Sequence, residues 1–141
     1  MTLVITGGSL NISAPASIDF GSAGSPSTKT VLMTTVTVTD QRGAGPDAAW
    51  TASAIATALT PPSGPTIAAS AIGYTSGTLA VTGTVTPTEN DQINLTGEVA
   101  VVSALRVSGD NTVSWTPTIT VKIPTGLAHG TYTGYITQSV A

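Results

Sequence analysis

The chain has 141 residues, a formal net charge of −3, 8% charged residues and no cysteine. This length fits a single domain with a substantial core, and four cationic side chains supply no basic patch for a nucleic-acid backbone. The lack of cysteine excludes a disulfide framework and a thiolate metal site, and no apolar run is long enough to span a bilayer.

Short stretches of alternating apolar and polar residues recur along the chain between turn signals. Glycine and proline lie between these stretches, and no segment has a convincing 3.6-residue periodicity. The pattern is typical of an antiparallel β-sandwich or barrel with about eight strands. The predicted strands cover residues 3–6, 10–14, 31–39, 50–57, 79–85, 98–107, 113–123 and 132–140.

Asp40 and Arg42 follow the strand predicted over residues 31–39. The two side chains can pair with each other, or the aspartate can accept backbone N–H groups while the arginine stacks on an aromatic ring. Because Trp50 follows shortly, we interpret the segment as a loop fastened beside a packed indole, with a ligand site as the alternative. The next stretch, 50–59, contains many alanines, which favour helix, but its alternation predicts a strand with one face of small residues.

Residues 82–91 are polar and are predicted to form a hairpin connection. Glu89, Asn90 and Asp91 on this connection could offer oxygens to a cation, but the spacing of a calcium loop is missing. His129 has no second histidine or nearby carboxylate and is predicted to be a solvated loop residue. We therefore predict no metal site and no cofactor.

The stretch from Val113 to Ile123 has an apolar residue at every odd position except Pro117 and a serine, threonine or lysine at every even one. This predicts a strand with one buried face. Proline lacks an N–H group, so Pro117 places the strand partly at a sheet edge. The predicted core comprises Val36, Val38, Trp50, Val81, Val99, Val101, Trp115, Ile119, Val121, Ile123, Tyr132 and Ile136.

Catalytic signatures are missing from the sequence. The carboxylates show no paired arrangement suited to glycoside chemistry, and no serine lies in a Gly-x-Ser-x-Gly elbow. We therefore predict that the protein is not an enzyme. The tyrosines, Tyr135 among them, could stack on a sugar, or could be core residues whose hydroxyls reach the rim.

Several segments together resemble a known family. They are residues 10–18, the segment Val36-Thr-Val-Thr-Asp-Gln-Arg-Gly43 with Trp50, residues 65–67 and 72–74, residues 114–121, and Gly130-Thr-Tyr-Thr-Gly-Tyr-Ile136. Over nearly the whole chain this resembles the WxL domain of Gram-positive surface proteins, in its actinobacterial secreted version. Trp50 matches the first motif's tryptophan and Ala52 stands at its leucine, while Gln138 and Val140 stand at the second motif's tryptophan and leucine.

The resemblance implies an exported all-β domain that attaches non-covalently to the cell wall, with peptidoglycan or an associated glycan as partner. Residues 1–5 lack the charged segment of a signal peptide, and we expect Met1 to replace a removed signal. From the chain as a whole we predict one immunoglobulin-like antiparallel β-sandwich domain over residues 1–141. The expected binding residues are Trp50, Arg42, Asp40 and Tyr135.

Two other functions stay open. The weakly charged, threonine-rich surface and the strand-like terminal segments also suit a structural subunit that self-assembles, or docks on a larger extracellular particle, by strand addition at sheet edges. The third function is a carrier that holds a small ligand in a cleft of the sandwich. Carriers of this shape rely on disulfides, and the absence of cysteine here disfavours this function.

Overall fold

The computed structural model describes residues 1–141 and is built almost entirely from antiparallel strands. The all-β prediction is confirmed, and the only helical piece is one 3₁₀ turn over Ala69–Ala71. No helix is long and apolar enough to cross a membrane. The nine strands are β1 (Leu10–Ser13), β2 (Ser27–Leu32), β3 (Val36–Asp40), β4 (Ala48–Ala56), β5 (Ile72–Thr75), β6 (Ala80–Glu89), β7 (Val99–Trp115), β8 (Thr118–Ile123) and β9 (Ile136–Val140).

The strands form one sheet of six and one of three. The long strand β7 is the centre of the larger sheet, with β6 along one side and both β3 and β4 along the other. Because β3 and β4 run in the same direction beside β7, they lie end to end and are separated by the loop 41–47. Strands β9 and β1 form the next row, where β9 pairs with β4 and β1 pairs with β3.

The smaller sheet has the order β2, β8, β5 and receives the chain directly from β7. Pro117 lies between β7 and β8, and its carbonyl accepts a hydrogen bond from the backbone N–H of Met33 at 2.8 Å. The predicted single strand over 113–123 is therefore two strands in two sheets. Its expected place at an edge is wrong, because β7 and β8 both have neighbours on two sides.

One hydrophobic core contacts both sheets. It contains both tryptophans, as predicted, together with the alanine face of β4, Tyr74 and Leu95, which were not in the predicted core. Val81 was expected in this core but is 43% exposed, because β6 is an edge strand whose residues are exposed along most of its length. The other predicted core residues are buried, except Val99, Ile123, Tyr132 and Ile136, which are half-buried.

Three further element predictions are wrong. The single strand expected over residues 31–39 is interrupted at residues 33–35, and its two ends belong to β2 and β3 in different sheets. Residues 3–6 are not a strand and are fully solvated, although their composition favours one. Residues 80–89, expected to become a polar connection after residue 85, are instead the edge strand β6. An edge strand needs only one hydrogen-bonded neighbour, and β6 leaves most of its side chains in solvent. Its threonines alternate along the strand, but Gly83 and Pro87 stand between them, so the sequence does not mark a buried face.

Candidate binding cleft

The largest concavity is a cleft of about 1260 Å³ at one end of the molecule. At this end β2 begins, β8 ends, β4 ends and β9 begins, and two irregular segments, residues 15–25 and 126–135, form its walls. Buried aliphatic residues form the floor, and aromatic residues stand at the walls. The floor contains Met33, Ile67, Ile72 and Val121, and the wall residues include Ile18, Phe20, Leu127, Tyr132 and Tyr135.

Tyr135 stands at the rim with its backbone fixed and its ring in solvent. Its N–H donates to the Thr57 Oγ1 at 2.9 Å, and its carbonyl accepts from the Thr57 N–H at 2.9 Å. The side chain is 78% exposed. A further pair of backbone hydrogen bonds joins Thr60 and Thr133 just before it. A tyrosine held in this way presents an apolar ring face and a hydroxyl without loss of backbone freedom on binding.

Few charges border the cleft. Lys29 Nζ donates to the Ser22 carbonyl at 3.4 Å, and the Asp19 carboxylate accepts from the Gly21 N–H at 2.8 Å. His129 is exposed in the 126–135 wall, as predicted. The lysine and the aspartate at the cleft both bond to the backbone of the 15–25 segment. The cleft therefore suits a neutral ligand that has apolar faces and hydroxyl groups.

Three of the predicted binding residues lie together, away from the cleft, at the loop between β3 and β4. Arg42 donates to both carboxylate oxygens of Asp40, with two distances of 2.9 Å, and its backbone N–H also reaches Asp40 Oδ1 at 3.1 Å. Arg42 also donates to the Ala49 carbonyl at 3.3 Å. The paired arginine holds the pKa of Asp40 below its usual range. The interpretation of a fastened loop is therefore confirmed in its geometry.

Trp50 lies beside this ion pair with its ring in the core. It is 1% exposed, and its Nε1 donates to Asn111 Oδ1 at 3.5 Å. The Asp40 side chain has no exposed surface. Of the four predicted binding residues, only Tyr135 and, in part, Arg42 have surface to present to a polymer. The structure brings Asp40, Arg42 and Trp50 together but leaves Tyr135 elsewhere.

A second buried chain of hydrogen bonds links the two sheets. Trp115 Nε1 donates to the Tyr74 hydroxyl at 2.8 Å, and that hydroxyl donates to Gln138 Oε1 at 2.8 Å. Burial raises the pKa of Tyr74 to about 12. Gln138, at a position where the resembled family has tryptophan, therefore accepts a core hydrogen bond from β5. No buried side-chain nitrogen or oxygen in the molecule lacks a partner.

The remaining candidates from the sequence serve structural contacts. Asp91 Oδ1 accepts from the Ser76 N–H at 3.1 Å, and Asn90 Nδ2 donates to Ser103 Oγ at 3.1 Å. No group of three or more histidines and carboxylates lies close enough to hold a metal ion.

The sequence prediction did not identify the cleft. Ile18 and Phe20 lie just before a glycine- and serine-rich stretch that begins at residue 21, and both pack against the core. The one available signal was the apolar pair Ile18 and Phe20, two residues apart in an otherwise polar stretch. Comparison of the chain with family profiles, with curated proteins and with solved structures found no match.

Proposed function

We propose that the protein is a non-catalytic, secreted cell-surface module that binds a cell-wall polymer, peptidoglycan or an associated glycan, without covalent chemistry. The cleft beneath Tyr135 is the binding site in this proposal. The observation that carries it is a large cleft that combines an aliphatic floor, an exposed tyrosine on a fixed backbone and almost no charge.

The chemistry of a glycan matches these features. A sugar ring has an apolar C–H face that stacks on an aromatic ring and hydroxyl groups that hydrogen-bond to backbone and side-chain oxygens. Gly130, Thr131 and Gly134 line the cleft beside Tyr135, and their backbone groups make no hydrogen bond within the chain, so they offer such partners.

The finer description of the fold belongs to the same proposal. We propose an immunoglobulin-like sandwich, supported by two antiparallel sheets that share one core. In the resemblance to WxL domains, the positions of the two motif leucines are Ala52 and Val140, and these residues are direct partners across β4 and β9. The motif positions thus meet on neighbouring strands, with Trp50 and Gln138 directed into the core from the same pair of strands.

A pelleting experiment tests the proposal. Purified protein is mixed with isolated Gram-positive cell walls and centrifuged, and we expect it to leave the supernatant. The variant Tyr135→Ala should stay in solution to a much greater extent than wild type. Leu105→Ala, which removes a 60% exposed apolar side chain outside the cleft, is the control and should pellet like wild type. Wild type that remains in the supernatant would refute wall binding.

A second function is favoured by a different observation. Leu3, Val4 and Ile5 are 83%, 75% and 86% exposed, an unusual run of solvated aliphatic residues. Such a run suits a structural subunit that self-assembles or docks on a larger extracellular particle by strand addition. Sedimentation at increasing concentration tests the homomeric form, and a monomer at all concentrations contradicts it.

A further inference from the structure

Residues 2–6, here called the arm, have the composition of a strand but no partner. The sequence Thr-Leu-Val-Ile-Thr is rich in β-branched residues, which favour strands. Residues 1–8 make no hydrogen bond with the rest of the chain. Exposed aliphatic side chains and unpaired backbone in one five-residue segment indicate a strand that pairs outside its own chain.

Two of the sheet edges are closed to such a strand. On β6, the Asn90 N–H bonds to the Val101 carbonyl, so by alternation the backbone of Pro87 and Glu89 faces the free side. Along residues 87–89 that side therefore lacks one N–H and carries a charge, and two register shifts between Thr82 and Thr86 interrupt the rest of the edge. All three features block strand addition. On β5, the edge is met by Gln92, which exchanges two backbone hydrogen bonds with Tyr74.

The outer edge of β2 is open. The Met33 N–H bonds to the Pro117 carbonyl, so the alternate residues Thr28, Thr30 and Leu32 turn their backbone groups away from β8. These groups have no backbone partner in the chain, and all three residues are exposed, Leu32 to 66%. The corresponding groups on β9 and β1 belong to half-buried residues instead.

We propose that the arm of one copy adds as a strand to the outer edge of β2 of a second copy. The arm has five residues and β2 has six in unbroken register, so the lengths match. In a strand, Leu3 and Ile5 share one face, where they cover the exposed Leu32 of the neighbouring copy. The arm carries no charged side chain, so it adds no repulsion beside Lys29. This inference rests on the self-assembly function and names its interface.

Mixed single-cysteine variants test the contact directly, because the chain has no cysteine of its own. Leu3→Cys and Leu32→Cys proteins are combined under mild oxidation, and a disulfide between them can only join two copies. We expect this pair to cross-link, and the control pair Leu3→Cys with Ile93→Cys to cross-link far less, since Ile93 is 82% exposed but lies away from β2. Equal cross-linking of the two pairs overturns the proposal.

Sedimentation of the full-length chain gives an independent readout. We expect the double variant with Leu3→Asp and Ile5→Asp to weaken self-association by about tenfold or more, and the single variant Leu32→Asp to do the same. The control variant Ile93→Asp should leave self-association unchanged. If self-association is unchanged in both the arm and the edge variants, this interface is contradicted, and the copies assemble through another surface. A monomeric wild type overturns the interface and homomeric assembly together. Wall pelleting of the arm variants should remain at the wild-type level, which separates this interface from the cleft.

Discussion

The β3–β4 loop region and the cleft both contain polar and aromatic side chains. In the loop region these side chains are paired and largely buried, whereas at the cleft an aromatic ring is exposed. At the loop, Asp40, Arg42, Asn111 and Trp50 are joined to one another or to backbone, and Asp40 and Trp50 are buried. At the cleft, the ring of Tyr135 faces solvent. A buried polar group must be paired and so serves stability, whereas an exposed side chain on a fixed backbone is free to meet a ligand.

The largest effect is expected from Trp50→Ala. Loss of a fully buried indole beside the ion pair should lower the free energy of unfolding by about 3–5 kcal/mol. Urea unfolding monitored by circular dichroism measures this change. A loss below about 1 kcal/mol would contradict the view that Trp50 is a core residue whose role is packing.

Alkaline pH should destabilise the core through Tyr74. Its pKa is raised from 10.0 to about 12 in the folded protein, so the folded state retains a proton that the unfolded state has lost between these values. Stability from this group is complete below pH 10 and falls as pH rises towards 12, by roughly 3 kcal/mol in total. Unfolding free energies measured across this range should fall less steeply in Tyr74→Phe than in wild type, and equal slopes would contradict the prediction.

Asp40→Asn should have the next largest effect. It replaces two charge-assisted hydrogen bonds to Arg42 and should cost about 1.5–3 kcal/mol at neutral pH. Because the pKa of Asp40 is lowered on folding, wild type loses this stabilisation as pH falls below 3.8, the ordinary pKa of an aspartate, towards the folded pKa, and the two proteins should converge in acid. Asp110→Asn, at an exposed site, is the control. A constant difference down to the lowest pH would disprove the linkage.

The smallest change in stability is expected from Tyr135→Ala. Its exposed ring makes no side-chain hydrogen bond, so the free energy of unfolding should stay within about 0.5 kcal/mol of wild type. Thermal unfolding and wall pelleting are measured on the same variant. Tyr135→Ala should lose wall binding and keep the stability of wild type, unlike a substitution in the loop region. A large loss of stability would mean that Tyr135 belongs to the core, as the loop residues do.

Sequence periodicity predicted the strands that have one buried and one exposed face. Strands β3, β4 and β8 were found for this reason, and the alanine face of β4 was identified although alanine favours helix. Strand β6 was partly missed because its residues are exposed on both faces, and Gly83 and Pro87 stand between its alternating threonines where a buried face would have large apolar residues. Irregular wall segments such as 15–25 have no period at all, so the cleft could not be predicted.

Long-range polar contacts were equally out of reach for the sequence. Asp40 and Arg42 are two residues apart, so their pairing could be anticipated from spacing. Tyr74 and Gln138 are 64 residues apart and meet only because β5 and β9 belong to different sheets on one core. A glutamine in a predicted strand gives no sign that its side chain accepts a buried hydrogen bond.

The central position of β7 has a consequence for the order of folding. Its one local partner is β6, joined to it by the short segment 90–98, while β3 and β4 must return from the first half of the chain. Contacts between distant residues slow folding to the range of milliseconds to seconds. We therefore expect the β6–β7 hairpin to form early and to act as the template on which β4 and β3 assemble, so that mutations in the hairpin change the folding rate more than the unfolding rate.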